Sequence, residues 1–167
     1  MTAQHNDELT LRPTTEADRT YIARLNFLTD TYGDEHGELE ASFDADFEFY
    51  VNRWVAKDGG LIAWRGNVPA GGLWWIWGDD DTHGYGYASA DIPELAIAVE
   101  GRFKGEGIGT VLMESAAQLA RDIGAPGLSL AVHSVNERAA RLYRHLGFTY
   151  SGIDRGAYRV LVLSFDS

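Results

Sequence analysis

Apolar positions along the chain change their period several times, and each change predicts an element. "ELTLRP" alternates apolar and polar residues and reads as a strand ended by Pro13. "TTEADRTYIARLNFL" then takes up helical spacing, with Thr14 or Thr15 as the cap and acids in the first turn. In "GELEASFDADFEFYVNRWV", Leu39, Phe43, Phe47, Tyr50 and Trp54 recur at helical spacing and predict a second amphipathic helix. "GLIAWRGNVPAGGLWWIW" reads as a hairpin turning around Gly66 and Asn67, and "GDDDTHGYGYASAD" as a polar loop. The second half alternates: strand "PELAIAV", helix "GIGTVLMESAAQLARDIG" closed near Gly124, strand "GLSLAV", and helix "NERAARLYRHLG" stopped by Gly147. "FTYSGI" and "YRVLVLSF" read as closing strands. Strands first, then β-loop-α-β-α-β, predict an α+β fold: one mixed, mostly antiparallel sheet flanked by helices. No repeat or linker interrupts it, so residues 1–167 are expected to form one domain.

Composition narrows the chemistry. The chain has no cysteine, which excludes disulfides, thiolate metal sites and an acyl-cysteine intermediate. A net charge of −11 argues against a nucleic-acid partner, which calls for a basic face. "MTAQHNDELT" has neither a basic start nor an apolar run, and "LWWIW" is too short to span a bilayer. The expectation is a soluble cytoplasmic protein with no membrane partner. Five histidines show no paired ligand spacing. "DDDTHGYG" places Asp79, Asp81 and Gly84 as a calcium loop would, but Ala90 stands where the bidentate Glu belongs. No metal site is expected.

"KGEGIG" at 104–109 lies between a strand and a helix, a position that aims free amides at an anion. An acidic protein repels phosphate at long range, so such a site must rest on backbone N–H groups and a nearby cation. The Walker pattern fails for want of Gly-Lys-Ser/Thr. The dinucleotide pattern places Gly105 and Gly107 but meets Thr110 at its third glycine. The pattern [Q/R]-x-x-G-x-[G/A], which holds the pyrophosphate of coenzyme A, fits Lys104, Gly107 and Gly109 with Lys in the first place. Lys keeps the cation and loses the bidentate fork. The alternative for the loop by itself is a tight turn that packs a helix start.

The stretch from 93 to about 153, including "N-x-x-A-x-x-L-Y-x-x-L-G-F", resembles the GNAT superfamily of acetyl-CoA-dependent N-acetyltransferases in several motifs at once. The resemblance implies a cofactor-binding core at about 92–153. It also implies two splayed strands, with the pantetheine arm pairing to the free edge at Ile97, Ala98 and Val99. The pyrophosphate would sit on Lys104, Gly105, Glu106, Gly107, Ile108, Gly109 and Thr110. Asn136 would contact the pantetheine, and Tyr143 would sit by the sulfur and protonate the departing thiolate. Read without the family, Asn136 is an N-cap and Tyr143 a half-buried aromatic, with Val135, Ala139, Leu142 and Leu146 forming an apolar stripe toward the core. Glu94 begins the "ELAIAV" strand and is the family-matching base, against a solvated strand end as the alternative. The Val99 N–H would polarise the thioester carbonyl. His133 could assist proton transfer, against a structural role. Trp74, Trp75 and Trp77 mark the strand that should line the acceptor side, although a stripe of this kind is more often core than cage.

The implied reaction is direct attack by a primary amine in a ternary complex. The alternative is a non-catalytic acyl-CoA sensor of the same fold. The acceptor is left as a small molecule or a peptide amine. From Leu28 to Tyr50 there are eight acids and no Lys or Arg (Asp30, Asp34, Glu35, Glu38, Glu40, Asp44, Asp46 and Glu48), which suggests a cationic acceptor or simply a solvated face. Oligomeric state, a homodimer included, stays open.

Overall fold

The computed structural model describes residues 8–30, 37–39 and 41–165. The chain divides into two compact units, Met1–Trp74 with Ala96–Met113, and Trp75–Leu95 with Glu114–Ser167. Strand β4, Glu94–Val99, begins in the second and continues in the first.

In the first unit, β1 (Leu9–Pro13) pairs antiparallel with β2 (Gly60–Arg65), and β2 with β3 (Val68–Ile76). Pro13 is tolerated because β1 is an edge strand. Thr15 settles the choice of cap. Its hydroxyl accepts from the Ala17 N–H at 3.2 Å while Asp18 accepts from the Thr15 N–H at 2.8 Å, a capping box. A 3-10 turn, Glu16–Asp18, then leads into α1, Arg19–Asp30. Ile22, Leu25 and Leu28 of α1 are buried at helical spacing.

The predicted second helix is shorter than its apolar spacing suggested. It starts after Ser42 as α2, Phe43–Phe47, and widens into a π-helical turn, Glu48–Asn52, closed by Arg53 N–H to Glu48 O at 3.1 Å. The extra residue in that turn shifts the register, so adjacent Tyr50 and Val51 are both buried. Leu39 precedes the helix and is 49% exposed, outside the stripe it was assigned to.

In the second unit, β5 (Gly127–His133) pairs antiparallel with β7 (Tyr158–Ser164) from Gly127↔Ser164 to His133↔Tyr158, and β7 pairs with β6 (Thr149–Arg155). Glu94 of β4 lies opposite Ser129 of β5 in parallel register. The seven strands hydrogen-bond in the order β1-β2-β3-β4-β5-β7-β6, a mixed sheet as expected. Helix α3, Ile108–Asp122, buries Ile108, Leu112, Met113, Ala116, Ala117 and Ala120 in one stripe. Helix α4, Glu137–His145, ends before Gly147, whose φ is 103°. Its expected stripe is only partly realised. Val135 precedes the helix and is 69% exposed, while Ala139, Leu142 and Leu146 are half-buried. No helix among the described residues is long and apolar enough to cross a membrane.

Candidate active site

The predicted site residues divide between the units. Ile97–Val99 and 104–110 fall in the first; Glu94, Asn136 and Tyr143 fall in the second.

In the first unit, the loop at 104–107 hangs between two buried anchors, Phe103 and Ile108. Its approach is fixed by Glu100, directly after β4. The Glu100 N–H donates to Ala70 O at 2.9 Å. Its buried carboxylate accepts from Arg24 at 2.8 Å (Nε) and 2.6 Å (Nη2), and from the Tyr21 hydroxyl at 2.6 Å. Burial alone would push the Glu100 carboxyl up, but the bonds from Arg24 and Tyr21 outweigh it and hold the group below its ordinary range. A 3-10 turn, Gly101–Phe103, then delivers the chain to Lys104, whose N–H donates to Gly101 O at 3.2 Å.

Gly105 and Gly107 have φ of 83° and 78°, the left-handed region that favours glycine. A Cβ at either would meet nothing within 4 Å, so the loop keeps an open face. The first helical bond on this side runs from the Val111 N–H to Gly107 O at 3.1 Å. The N–H groups of Ile108, Gly109 and Thr110 therefore precede the ladder and carry the positive end of α3. Lys104 is exposed. The Glu106 side chain turns to Arg65, 3.0 Å away, which leaves its backbone as the part it could offer a ligand. Ile97, Ala98 and Val99 are half-buried.

In the second unit, Glu94 is 4% exposed, which overturns the alternative of a solvated strand end. Its Oε2 accepts from the Gly86 N–H at 3.1 Å. Gly86 belongs to the polar loop and lies directly on β5: a Cβ there would stand 2.6 Å from Ala131 N and Leu130 C. On either side of it, the Tyr85 and Tyr87 carbonyls accept from Arg155 Nη1 at 2.9 and 2.7 Å. The Tyr85 ring stacks on Tyr158 at 4.6 Å. Ser129, opposite Glu94, is fully buried.

Asn136 is the N-cap of α4: its Oδ1 accepts from the Ala139 N–H at 3.3 Å. Tyr143 is half-buried, its ring centroid 5.9 Å from that of Phe148. Burial pushes its phenol up to about 12, so it is protonated at neutral pH. His133 Nδ1 accepts from the Val135 N–H at 3.2 Å, and its ring meets Tyr158 edge-on at 5.1 Å. Trp74 and Trp75 are buried, and Trp74 donates to Tyr50 O at 2.8 Å. Asp79 Oδ1 is taken by the amides of Asp81 and Thr82.

Of the acidic run, Asp34, Glu35 and Glu40 lie outside the described residues. Asp46 accepts from Ser42 and Glu48 from Asn52, while Glu38 and Asp44 are exposed.

Sequence reasoning missed Gly86, Arg155 and the Tyr21–Arg24–Glu100 cluster. Arg155 reaches partners 70 and 68 positions away, and no periodicity reports such pairs. The one local signal for Gly86 was a glycine between two tyrosines in an otherwise polar loop.

A mixed sheet with a strand, a glycine-rich turn and a helix whose first amides stay open is the architecture of acyl-CoA N-acyltransferases. Residues 21–148 match the Acetyltransferase (GNAT) family, and the chain belongs to it. It is 44% identical to streptothricin acetyltransferase of Streptomyces lavendulae over 63 residues, 38% of this chain and 33% of that protein. It is 32% identical to mycothiol acetyltransferase of Nocardiopsis dassonvillei over 113 residues, 66% of this chain and 30% of that protein. The chain thus spans about a third of the length of these curated relatives. Among solved structures, PaiA N-acetyltransferase of Thermoplasma acidophilum, crystallised with coenzyme A, shares the fold at a TM-score of 0.69 and 16% identity, covering 95% of this chain and 99% of that one.

Proposed function

We propose that the protein moves the acetyl group of acetyl-CoA to a primary amine by direct attack in a ternary complex. The observation that carries this reading is the open loop at Gly105 and Gly107, whose left-handed backbone leads into the unbonded amides of α3 in a chain of the GNAT family. Those amides and the Lys104 cation are suited to a pyrophosphate. The edge at Ile97–Val99 pairs with the pantetheine, and the Val99 N–H polarises the thioester carbonyl. Glu94 takes a proton from the acceptor ammonium. The neutral amine then forms a C–N bond as the C–S bond breaks, Tyr143 gives its proton to the sulfur, and the second proton of the acylated nitrogen passes to the Tyr143 phenolate, which restores the phenol. Burial supports both carboxylate and phenol in these roles: Glu94 is withdrawn from water, and Tyr143 is held as a donor. The desolvation that raises the phenol would also raise a thiol in the same surroundings, which keeps the transfer feasible.

The acceptor is a small molecule or a peptide end, and the acidic stretch between Leu28 and Tyr50 favours a cationic one. The same reading puts the enzyme in the cytoplasm. The test is release of free thiol from acetyl-CoA against a panel of neutral, monocationic and polycationic amines. Amine-dependent release, fastest for cations and weakened by salt, is expected. Calorimetric binding of acetyl-CoA with no turnover on any amine would instead make the protein an acyl-CoA sensor. No binding at all would refute the reading of the loop.

A further inference from the structure

Tyr85 O and Gly86 N–H belong to a single peptide group, and that group bridges two charged side chains. Its carbonyl accepts from Arg155 Nη1 at 2.9 Å, and its N–H donates to Glu94 Oε2 at 3.1 Å. The peptide is trans, so its two polar atoms point opposite ways. A guanidinium thus stands at one end of the group and a carboxylate at the other. We propose that Arg155 is a positioning residue for Glu94, acting through the Tyr85–Gly86 peptide; the proposal rests on the reading of Glu94 as the base.

Three observations make the group a device rather than a chance contact. Residues 78–92 form no helix or strand, so no ladder of hydrogen bonds sets the orientation of this peptide. The same Arg155 nitrogen also holds Tyr87 O at 2.7 Å, which fixes the carbonyls on both sides of Gly86. Gly86 itself is pressed onto the β5 backbone, where a Cβ would overlap Leu130 and Ala131. With both ends held, a flip of the peptide loses the bond to Arg155 and the bond to Glu94 together. A cation on the carbonyl also polarises the group, so the N–H becomes a stronger donor to the carboxylate. The bond from the Gly86 N–H fixes the place of Glu94 Oε2.

The experiment uses the full chain with Arg155→Gln, Arg155→Lys and Glu94→Gln. Two quantities are read for each: the amide resonance and exchange rate of Gly86 by 15N NMR, and kcat with KM for acetyl-CoA. Misplacing a catalytic group by about an ångström lowers turnover by roughly 10²-fold. Arg155→Gln should therefore lower kcat by about 10- to 100-fold, leave KM for acetyl-CoA unchanged, and move the Gly86 amide with faster exchange. Arg155→Lys keeps a cation with several donors and should restore part of both. If the glutamine variant fails to fold, the lysine variant decides alone. Support is a joint change of the Gly86 amide and kcat. An amide displaced at full kcat, or kcat lost with the amide in place, overturns the proposal. A fully active Glu94→Gln protein refutes the base itself, and is told apart because Arg155 then need not be altered to show it.

Discussion

Replacing Glu100 by Gln tests what holds the chain just before the loop. The change keeps the shape of the side chain and removes the charge that three hydrogen bonds of 2.6–2.8 Å converge on. Losing one partner of a buried ion pair typically destabilises by about 3–5 kcal/mol. The Glu100 side chain is 6% exposed, but that of Arg24 is 42% exposed and can recover much of its hydration. The expected loss is therefore about 2–3 kcal/mol. For 167 residues, an unfolding entropy of about 2.1 cal/mol/K per residue gives about 0.35 kcal/mol/K, so the melting temperature should fall by roughly 6–9 °C. The pH dependence has a definite sign. Glu100 titrates below its ordinary value in the folded protein, so its contribution is present above the unfolded pKa of about 4.3 and is lost as pH falls through the folded value. Calorimetric melting of both proteins between pH 7 and pH 3.5 should thus show a gap that narrows on the acid side. A gap under about 2 °C at pH 7, or one that stays constant down to pH 3.5, would show that the cluster does not hold this segment.

Gly107→Val should weaken acetyl-CoA binding at least tenfold by calorimetry, because φ of 78° is strained for a branched residue and the new side chain would fill the open face. Lys104→Ala should cost less, since the amides of α3 remain; equal affinity in a folded Gly107→Val protein would reduce the loop to a turn. Tyr143→Phe should lower turnover by roughly 10²–10⁴-fold with little change in cofactor affinity. With the phenol near 12, wild-type kcat should show no alkaline fall through about pH 10, as the acid is lost only above that; a fall with pKa near 9 would exclude Tyr143 as the donor. Glu94→Gln should depress turnover at neutral pH and recover in part at high pH, because an amine of pKa about 10.4 is neutral in roughly one molecule in 2,500 at pH 7 and tenfold more per unit above. A parallel drop at every pH would make Glu94 a binder of the ammonium.

Elements with strong local signals were legible in the sequence. Thr14 or Thr15 announces the start of α1, Gly124 and Gly147 mark the ends of α3 and α4, and the Gly66–Asn67 pair marks a hairpin. The short second helix was misread because apolar spacing cannot show where hydrogen bonding begins or where a π turn adds a residue: Leu39 continues the stripe in sequence yet lies before Ser42. Strand order was also beyond reach, since alternation says which residues are extended and not which strand is the neighbour. Glu94 was singled out by its resemblance to the family, and its burial was not foreseen. The burial comes from a loop folded over β5, a contact between Gly86 and Leu130 that leaves no periodic trace.

The insertion of β7 between β5 and β6 bears on synthesis. β5 can pair with β7 over seven residues only after Ser164 has left the ribosome, because the ladder opens at Gly127↔Ser164. Until then the backbone edge of β5 that β7 will occupy is open to any other extended segment. α4 and β6 are made in that interval and cannot take β7's place without changing the order of the sheet. The β5–β7–β6 part of the second unit therefore closes only once β7 has been made, and until then the free edge of β5 is a place where a neighbouring nascent chain could pair wrongly.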